Sequence, residues 1–273
     1  MSMNAWVEGR IIDHHLWAEN LFSLKINAVI APFKAGQYTS LGLEIAGELH
    51  AEPYSILSAP ELHLQQPPQQ QTLEFFLYGK LAGTLSTRLA GMSVGQQVMV
   101  RQQAEGNFTL DQVDSARELW LLATGTGVAP FLSMLQTGEA WQRFAHIVLV
   151  YAVRHRQDLC YTELITRLQA RYPGQLSFIP VISREQSAQA LGGHIQDAIG
   201  NGTLEQFSGR KLSPEHSQIM LCGNPGMIQA SNAVLQARGF TENRSQKPGA
   251  ESGSEQKSES GSSKGQITFE TYW

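Results

Sequence analysis

The order of apolar and polar positions divides the chain into two parts with different patterns. In the first 113 residues, short runs rich in β-branched or aromatic residues alternate with Gly and Pro turn signals. These runs are WVEGRII, LFSLKI, YTSLGLEI, LEFFLY and QQVMVR, and only LSTRLAGM has a helical pattern. Many short strands with little helix predict a barrel or a sandwich over residues 1–113.

After residue 113, long apolar runs alternate with amphipathic segments. The apolar runs ELWLLAT, HIVLVYAVR, QLSFIPVISR and SQIMLCG are typical of buried strands, and PFLSMLQTGEAWQRF and DLCYTELITRLQARY are typical of helices. Strands that alternate with helices indicate a parallel sheet covered on both faces. We therefore predict an α/β domain over residues 114–273.

A polar tract interrupts the second part. Residues 242–265 are rich in Ser, Gly, Glu and Lys and contain no apolar anchor, which predicts a flexible, low-complexity excursion. The pattern then resumes with QITFETYW. We expect this aromatic terminus to dock against the folded part of the chain.

Composition and charge exclude several classes of protein. The 273 residues suffice for two domains, and a net charge of −4 argues against a protein of nucleic acids or anionic membranes. No run approaches 18 apolar residues, and the N-terminal residues carry no apolar signal region, so we predict a cytoplasmic protein without a membrane span. Cys160 and Cys222 are too few for a four-thiolate iron–sulfur cluster and form no disulfide framework.

The segment LLATGTGVAPF, residues 121–131, has the pattern of a phosphate-binding turn. An apolar strand runs into Thr124, Gly125, Thr126 and Gly127, and a helix is predicted to begin close to Pro130. Glycines allow a tight turn and a close approach of the backbone, and the free N–H groups at a helix start attract phosphate. The strand, turn and helix together indicate a nucleotide site.

Two arginines follow successive strands of the predicted sheet. Arg154 comes after HIVLVYAV, and Arg184 comes after LSFIPVIS. Because ligands bind beyond the carboxyl ends of parallel strands, both guanidinium groups can converge on one anion. An NAD site would normally have Asp or Glu for the ribose hydroxyls, whereas Arg at these positions favours the 2′-phosphate of NADP. His194 and Arg156 are weaker candidates for the same site. The alternative is two solvated arginines at strand ends.

The pair Tyr54-Ser55 is a candidate flavin contact in the first part. An aromatic ring beside a hydroxyl can stack on a flavin and hydrogen-bond to its ring. Taken alone, the pair is better explained as a Tyr in an ordinary strand.

Five short segments occur in an order that resembles one family. PYS-x-x-S-x-P, GTLSTRL, ATGTGVAPF, LCGNPGM and the terminal ETYW make the chain similar to the bacterial ferredoxin (flavodoxin)–NADP reductases, apart from residues 242–265. The resemblance implies an antiparallel FAD β-barrel followed by an α/β parallel-sheet NADP-binding domain. It also implies NADPH as hydride donor and ferredoxin or flavodoxin as electron carrier, and we expect a monomer.

The resemblance assigns roles to individual residues. The FAD contacts that it implies are Tyr54, Ser55, Phe76, Leu77, Tyr78, Gly83, Thr84, Leu85, Ser86, Thr126, Tyr272 and Trp273. The candidate NADP contacts, which include the turn and strand-end residues described above, are Thr124, Gly125, Arg154, Arg184, His194, Gly223 and Asn224. The implied catalytic residues are Ser55 and Cys222 beside the reacting rings and Glu270 as a proton-relaying carboxylate.

One position departs from the family pattern. The family has R-x-Y-S, with the Arg on the FAD pyrophosphate, whereas this chain has Glu52-Pro53-Tyr54-Ser55. A carboxylate repels a diphosphate. Either Glu52 points away, or a cation such as Arg88 or Lys80 compensates, or FAD binds weakly, and weak FAD binding makes FMN a second candidate.

Two other functions remain open from the sequence. The chain could be a reductase component for another metalloprotein or an oxygenase, although it lacks the length and cysteines for a fused iron–sulfur domain. It could also be a nucleotide-binding module that has lost its flavin, which only Glu52 favours. The colour of the purified protein separates these classes.

Overall fold

A computed structural model of the chain describes residues 5–67, 70–79, 83–243 and 264–272. Lys80, Trp273 and most of the predicted excursion, residues 244–263, lie outside the described residues. In the described ranges no helix is both long enough and apolar enough to cross a membrane.

The first part of the chain forms an antiparallel barrel. Its strands are β1 (Trp6–Ala18), β2 (Leu21–Asn27), β3 (Tyr38–Ile45), β4 (Glu48–Ser55), β5 (Thr72–Tyr78) and β6 (Gln97–Arg101). They are ordered β4-β3-β6-β1-β2-β5, and neighbouring strands are antiparallel. A bridge between Ile56 and Phe75 joins the two outer strands, so the sheet closes on itself. The barrel alternative of the sequence prediction is confirmed.

Two short helices accompany the barrel. The helix α2 (Leu85–Ala90) falls within the predicted LSTRLAGM, and Thr84 caps it by accepting the N–H of Thr87. The helix α1 (Pro60–Leu64) was not predicted, because five residues are too few to show a helical period.

The second part forms a parallel sheet covered by helices, as predicted. Its strands are β7 (Glu118–Thr124), β8 (His146–Val153), β9 (Leu176–Ile182), β10 (Leu191–Gly192), β11 (Ser217–Gly223) and β12 (Ile267–Thr271). The order is β10-β9-β8-β7-β11-β12, and every pair is parallel. The chain turns back between β7 and β11, and such a reversal opens a crevice at the carboxyl ends of the strands.

Six helices connect these strands. They are α3 (Ala129–Leu135), α4 (Glu139–Arg143), α5 (Thr162–Arg171), α6 (Ile195–Gly200), α7 (Thr203–Ser208) and α8 (Pro225–Ala237). The prediction of one helix over PFLSMLQTGEAWQRF was wrong, because the segment breaks between α3 and α4. At the break, Thr137 Oγ1 and Trp141 Nε1 donate to the carbonyls of Met134 and Leu135, which replaces helical hydrogen bonds.

One apolar cluster spans both domains. Phe76 and Phe108 from the first part are buried in the same cluster as Phe131 of α3. Hydrogen bonds cross the same boundary, since Ser133 Oγ donates to the carbonyl of Ser58 over 2.9 Å. This continuous contact fixes the domains against each other and defines the walls of the space between them.

The C-terminal residues dock as the edge strand β12, beside β11. Their approach is anchored to the linker between the domains. The backbone N–H of Lys264 donates to Asp114 Oδ2 over 3.0 Å, and Asn243 Nδ2 donates to the carbonyl of Gln112 over 2.7 Å. The strand therefore brings its last residues back to the boundary between the domains.

Candidate active site

A cleft of about 1100 Å³ lies between the barrel and the carboxyl ends of the parallel strands. The barrel contributes Glu19, Asn20, Leu21, Glu52, Tyr78, Thr84 and Ser86. The second domain contributes residues of three strand ends and of the α8 start, including Thr124, Gly125, Thr126, Arg154, His155, Arg184, His194 and Asn224. A cleft of this volume accommodates a large cofactor.

The predicted phosphate-binding turn lies at the centre of the cleft. β7 runs into a 3₁₀ turn, Gly125–Val128, and α3 follows it. Gly125 has φ of +53°, a conformation that favours glycine. The backbone N–H of Asn224 donates to Thr124 Oγ1 over 2.8 Å, so this turn is joined to the one after β11. Asn224 Oδ1 in turn accepts the N–H groups of Gly226 and Met227 at the start of α8.

Gly127 is required by the close approach of these two turns. A Cβ at this position would lie 2.6 Å from the carbonyl oxygen of Cys222, which is backbone and cannot move aside cheaply. We expect Gly127→Ala to lower the free energy of unfolding by about 2 kcal/mol, as overpacking does in cores. Urea unfolding measures the change.

Gly200→Ala is the matched control for this variant. A Cβ at Gly200 would meet its nearest neighbour, Val234 Cγ1, at 3.8 Å, which is ordinary contact. Equal stability of the two variants would contradict the packing argument.

The two predicted phosphate-binding arginines lie together. Arg154 and Arg184 both line the cleft, and the N–H of Arg184 donates to the carbonyl of Arg154 over 3.0 Å, so the two strand ends are joined. His194 lines the same region at the start of α6. Arg156 is directed elsewhere, because its Nη2 donates to Ser187 Oγ over 2.7 Å.

The predicted FAD residues separate into two groups. The side chains of Tyr78, Thr84 and Ser86 line the cleft, whereas Leu77 and Leu85 are buried in the barrel core. Phe76 is also buried and packs against Tyr161, with ring centroids 5.3 Å apart. Gly83 is exposed in the turn before α2, with φ of +86°.

Tyr54 is half-buried next to this group. Its hydroxyl donates to Glu52 Oε2 over 2.9 Å. Burial, and after it the contact with Glu52, raises the pKa of the Tyr54 hydroxyl, so the phenol stays protonated.

The predicted catalytic residues come together at the boundary between the domains. Ser55 ends β4, Cys222 lies near the end of β11, and Glu270 is paired with Cys222 in the β11–β12 register. The Tyr272 hydroxyl hydrogen-bonds to Ser55 Oγ and contacts the Cys222 thiol. Ser55 and Cys222 are buried, and Glu270 and Tyr272 are partly buried. Cys222 adjoins the turn after β7, since a Cβ on Gly127 would lie 2.6 Å from its carbonyl oxygen.

Burial controls the ionisation of this cluster. Burial, and after it the neighbouring Glu270, holds the pKa of the Cys222 thiol well above its usual value, so the thiol is neutral. Burial also raises the pKa of Glu270 to about 7, and its buried Oε2 has no hydrogen-bond partner among the residues that the structure describes. A carboxyl group with this pKa can gain or lose a proton near neutral pH.

Glu52, the departure from the family pattern, faces the cleft. It lines the same cleft as Thr84 and Ser86, which disfavours the alternative in which it points away. Among the described residues it forms no ion pair, with Arg88 or with any other cation. The Tyr54 hydroxyl, a neutral donor, is its partner instead.

We expect Glu52→Gln to tighten FAD binding about tenfold, because it removes a negative charge from the wall that would face the diphosphate. Glutamine retains an oxygen that can accept from Tyr54. Quenching of flavin fluorescence measures the Kd. Glu48→Gln, an exposed change on the same strand, is the matched control, and unchanged or weaker binding by Glu52→Gln would contradict this role.

Several residues of the site were not found from the sequence. The tight turn between β1 and β2, with Asn20 at φ of +66°, lines the cleft, and His155 lies beside Arg154. Tyr38 lies close enough to Glu270 for that carboxylate to contribute to its raised pKa, after burial and Glu105. Of these residues, only His155 could have been identified as a site residue from the sequence, because it lies at the end of a predicted strand.

The comparisons with known proteins agree with this geometry. Residues 121–233 match the family model described as the oxidoreductase NAD-binding domain. A flavodoxin/ferredoxin–NADP reductase of Escherichia coli (strain K12) is 42% identical, over 83% of this chain and 88% of that protein. One from Buchnera aphidicola subsp. Schizaphis graminum is 34% identical over 99% of this chain and all of that protein.

A solved structure matches both domains at once. It is a ferredoxin NADP⁺ reductase from Neisseria gonorrhoeae with bound FAD and NADP, 27% identical, with a TM-score of 0.82 over 98% of each chain. The sequence identity, the coverage and the common fold together identify the chain as a member of the flavodoxin/ferredoxin–NADP reductase family.

Proposed function

We propose that this protein is an FAD-dependent oxidoreductase that transfers hydride between NADPH and the flavin, and single electrons between the flavin and ferredoxin or flavodoxin. One observation carries the proposal. A single cleft has, at the strand ends of one domain, two arginines that form no ion pair with any described residue, and the Tyr78, Thr84 and Ser86 wall of the barrel on its other side. The relatives named above support the same activity.

The barrel wall fits a flavin dinucleotide. The start of α2 offers the hydroxyls of Thr84 and Ser86, which suit phosphate oxygens, and Tyr78 offers aromatic surface to the cleft for the ring system. Tyr54 packs against the barrel core and is not among the residues that line the cleft. When bound, FAD supplies the exchange of hydride with the nicotinamide and of single electrons with the carrier. FMN becomes the better candidate only if Glu52 prevents binding of the diphosphate.

The opposite wall fits NADP. Arg154 and Arg184 offer planar donors that suit the 2′-phosphate, with His194 in reach of the same ligand. The turn at Thr124 and Gly125, and Gly223 and Asn224 beyond it, would hold the rest of the nucleotide.

The cluster of Ser55, Cys222, Glu270 and Tyr272 supplies positioning and a site for proton transfer. Ser55 and Cys222 are neutral side chains that would flank the reacting rings without a covalent step, and Tyr272 would pack against the flavin. Glu270 holds a proton at its carboxyl group beside Tyr272 and Cys222.

Anaerobic titration of the purified protein with NADPH, and separately with NADH, tests the proposal. We expect a yellow protein whose visible flavin absorbance is bleached by NADPH at much lower concentration than by NADH. Mixing the reduced protein with ferredoxin or flavodoxin should then restore the absorbance. A colourless protein that FAD and FMN cannot reconstitute would refute the proposal and favour the module that has lost its flavin.

A further inference from the structure

Two side-chain bridges join the loops that follow β8 and β9, directly beside the arginines at the strand ends. His155 Nδ1 and Glu185 Oε1 are 2.8 Å apart, and Arg156 Nη2 donates to Ser187 Oγ over 2.7 Å. The first bridge contains the only residue of the four that lines the cleft, His155. It also contains the negatively charged carboxylate of Glu185, whereas the acceptor in the second bridge is the neutral hydroxyl of Ser187.

Glu185 presents an electrostatic difficulty for an anion site. It follows Arg184 in the chain, and a carboxylate that turned onto either guanidinium group would compete with a phosphate for it. In the parts of the chain that the structure describes, neither Arg154 nor Arg184 forms an ion pair. The Glu185 carboxylate is engaged by His155 instead.

The position of His155 does not depend on this contact. Its backbone N–H donates to Asp158 Oδ2 over 3.0 Å and begins a short 3₁₀ turn. This hydrogen bond holds the main chain at His155 in place, whatever Glu185 does. Removal of the ring should free the carboxylate without displacing the strand end that carries Arg154.

We propose that His155 is a specificity-determining residue that holds Glu185 away from Arg154 and Arg184, so that both arginines are available to the 2′-phosphate of the cofactor. This inference rests on the proposed function, because it assumes that the two arginines bind that phosphate. If His155 instead contacted the phosphate directly, neutralising Glu185 would not restore the preference for NADPH that is lost with the imidazole. Under this proposal, neutralising Glu185 should restore it.

The test is a double-mutant cycle on the holoenzyme, read as the ratio of kcat/KM for NADPH to that for NADH. We expect His155→Ala to lower the ratio about fivefold, a size typical of half-exposed charges. Glu185→Gln alone should leave the ratio equal or raise it. The double variant should recover the ratio of Glu185→Gln. Binding of 2′-phospho-AMP, compared with AMP, should follow the same pattern.

Ser187→Ala is the matched control, since it breaks the second bridge and leaves every charge in place. An effect equal to that of His155→Ala would mean that the bridges only tether the loops, and would overturn the inference. A double variant as poor as His155→Ala would overturn it as well. Arg184→Ala distinguishes failure of this inference from failure of the proposed NADP site. If Arg184→Ala lowers the ratio and His155→Ala does not, only this inference fails. If neither variant lowers the ratio, the proposed NADP site fails as well.

Discussion

Arg184→Ala is expected to raise the KM for NADPH about 30-fold while changing the KM for NADH much less. A guanidinium that binds a phosphate makes charge-assisted hydrogen bonds, and losing them costs more than losing neutral ones. NADH lacks the 2′-phosphate, so the loss should be specific to NADPH. Arg154 lines the same end of the cleft, and Arg154→Ala should act in the same direction. Steady-state kinetics with both nucleotides measures the difference.

Arg167→Ala is the matched control for these variants. Arg167 is an arginine of the same domain whose side chain is 68% exposed, and its one ion pair, with Glu163, spans 4.0 Å. It should leave both KM values unchanged. Equal increases in the two KM values for Arg184→Ala would show that the arginine supports the fold or the common part of the nucleotide, and would remove the 2′-phosphate assignment.

The sequence predicted the second domain well because its strands are buried on both faces. Near-continuous apolar runs mark such strands without any knowledge of tertiary structure, and ELWLLAT and SQIMLCG coincide with β7 and β11. The strand β4 is harder to find, since most of it is exposed. The break between α3 and α4 depends on side chains that bond to nearby carbonyls, which helical periodicity does not show.

The site also contains residues that the sequence could predict and residues that it could not. Arg154, Arg184 and the turn at Thr124 could be predicted, because the carboxyl ends of parallel strands meet at one edge. The bridge between His155 and Glu185 could not, since it joins two loops whose side-chain directions the sequence does not specify. The orientation of Glu52 was also undetermined, and only the fold shows that its carboxylate faces the cleft.

Glu270→Gln is expected to slow the re-oxidation of the reduced flavin by ferredoxin or flavodoxin about 100-fold, within the range for loss of a general acid or base. Hydride transfer from NADPH needs no separate proton, whereas removal of both electrons from the reduced flavin also releases its N5 proton, which Glu270 can accept. Burial raises the pKa of Glu270 to about 7, so the wild-type carboxyl is protonated below that pH and ionised above it. The ionised form accepts the proton, so the wild-type rate should rise as the pH rises through 7. Glutamine cannot accept a proton in this way, and the rate of the variant should be low and independent of pH. Stopped-flow absorbance from pH 5.5 to 8.5 measures both.

Stability should change in the opposite direction, which separates a chemical effect from unfolding. The folded-state pKa lies above the ordinary value of 4.5, so the stabilising contribution of Glu270 is complete below pH 4.5 and is lost as the pH rises through about 7. Glutamine never ionises. Relative to wild type, Glu270→Gln should therefore gain about 2 kcal/mol of unfolding free energy between pH 4.5 and pH 8, measured by urea unfolding. A slow variant that is also less stable at pH 8 would mean that Glu270 supports packing, whereas a slow variant with this gain identifies proton transfer to Glu270 as the step that the variant lost.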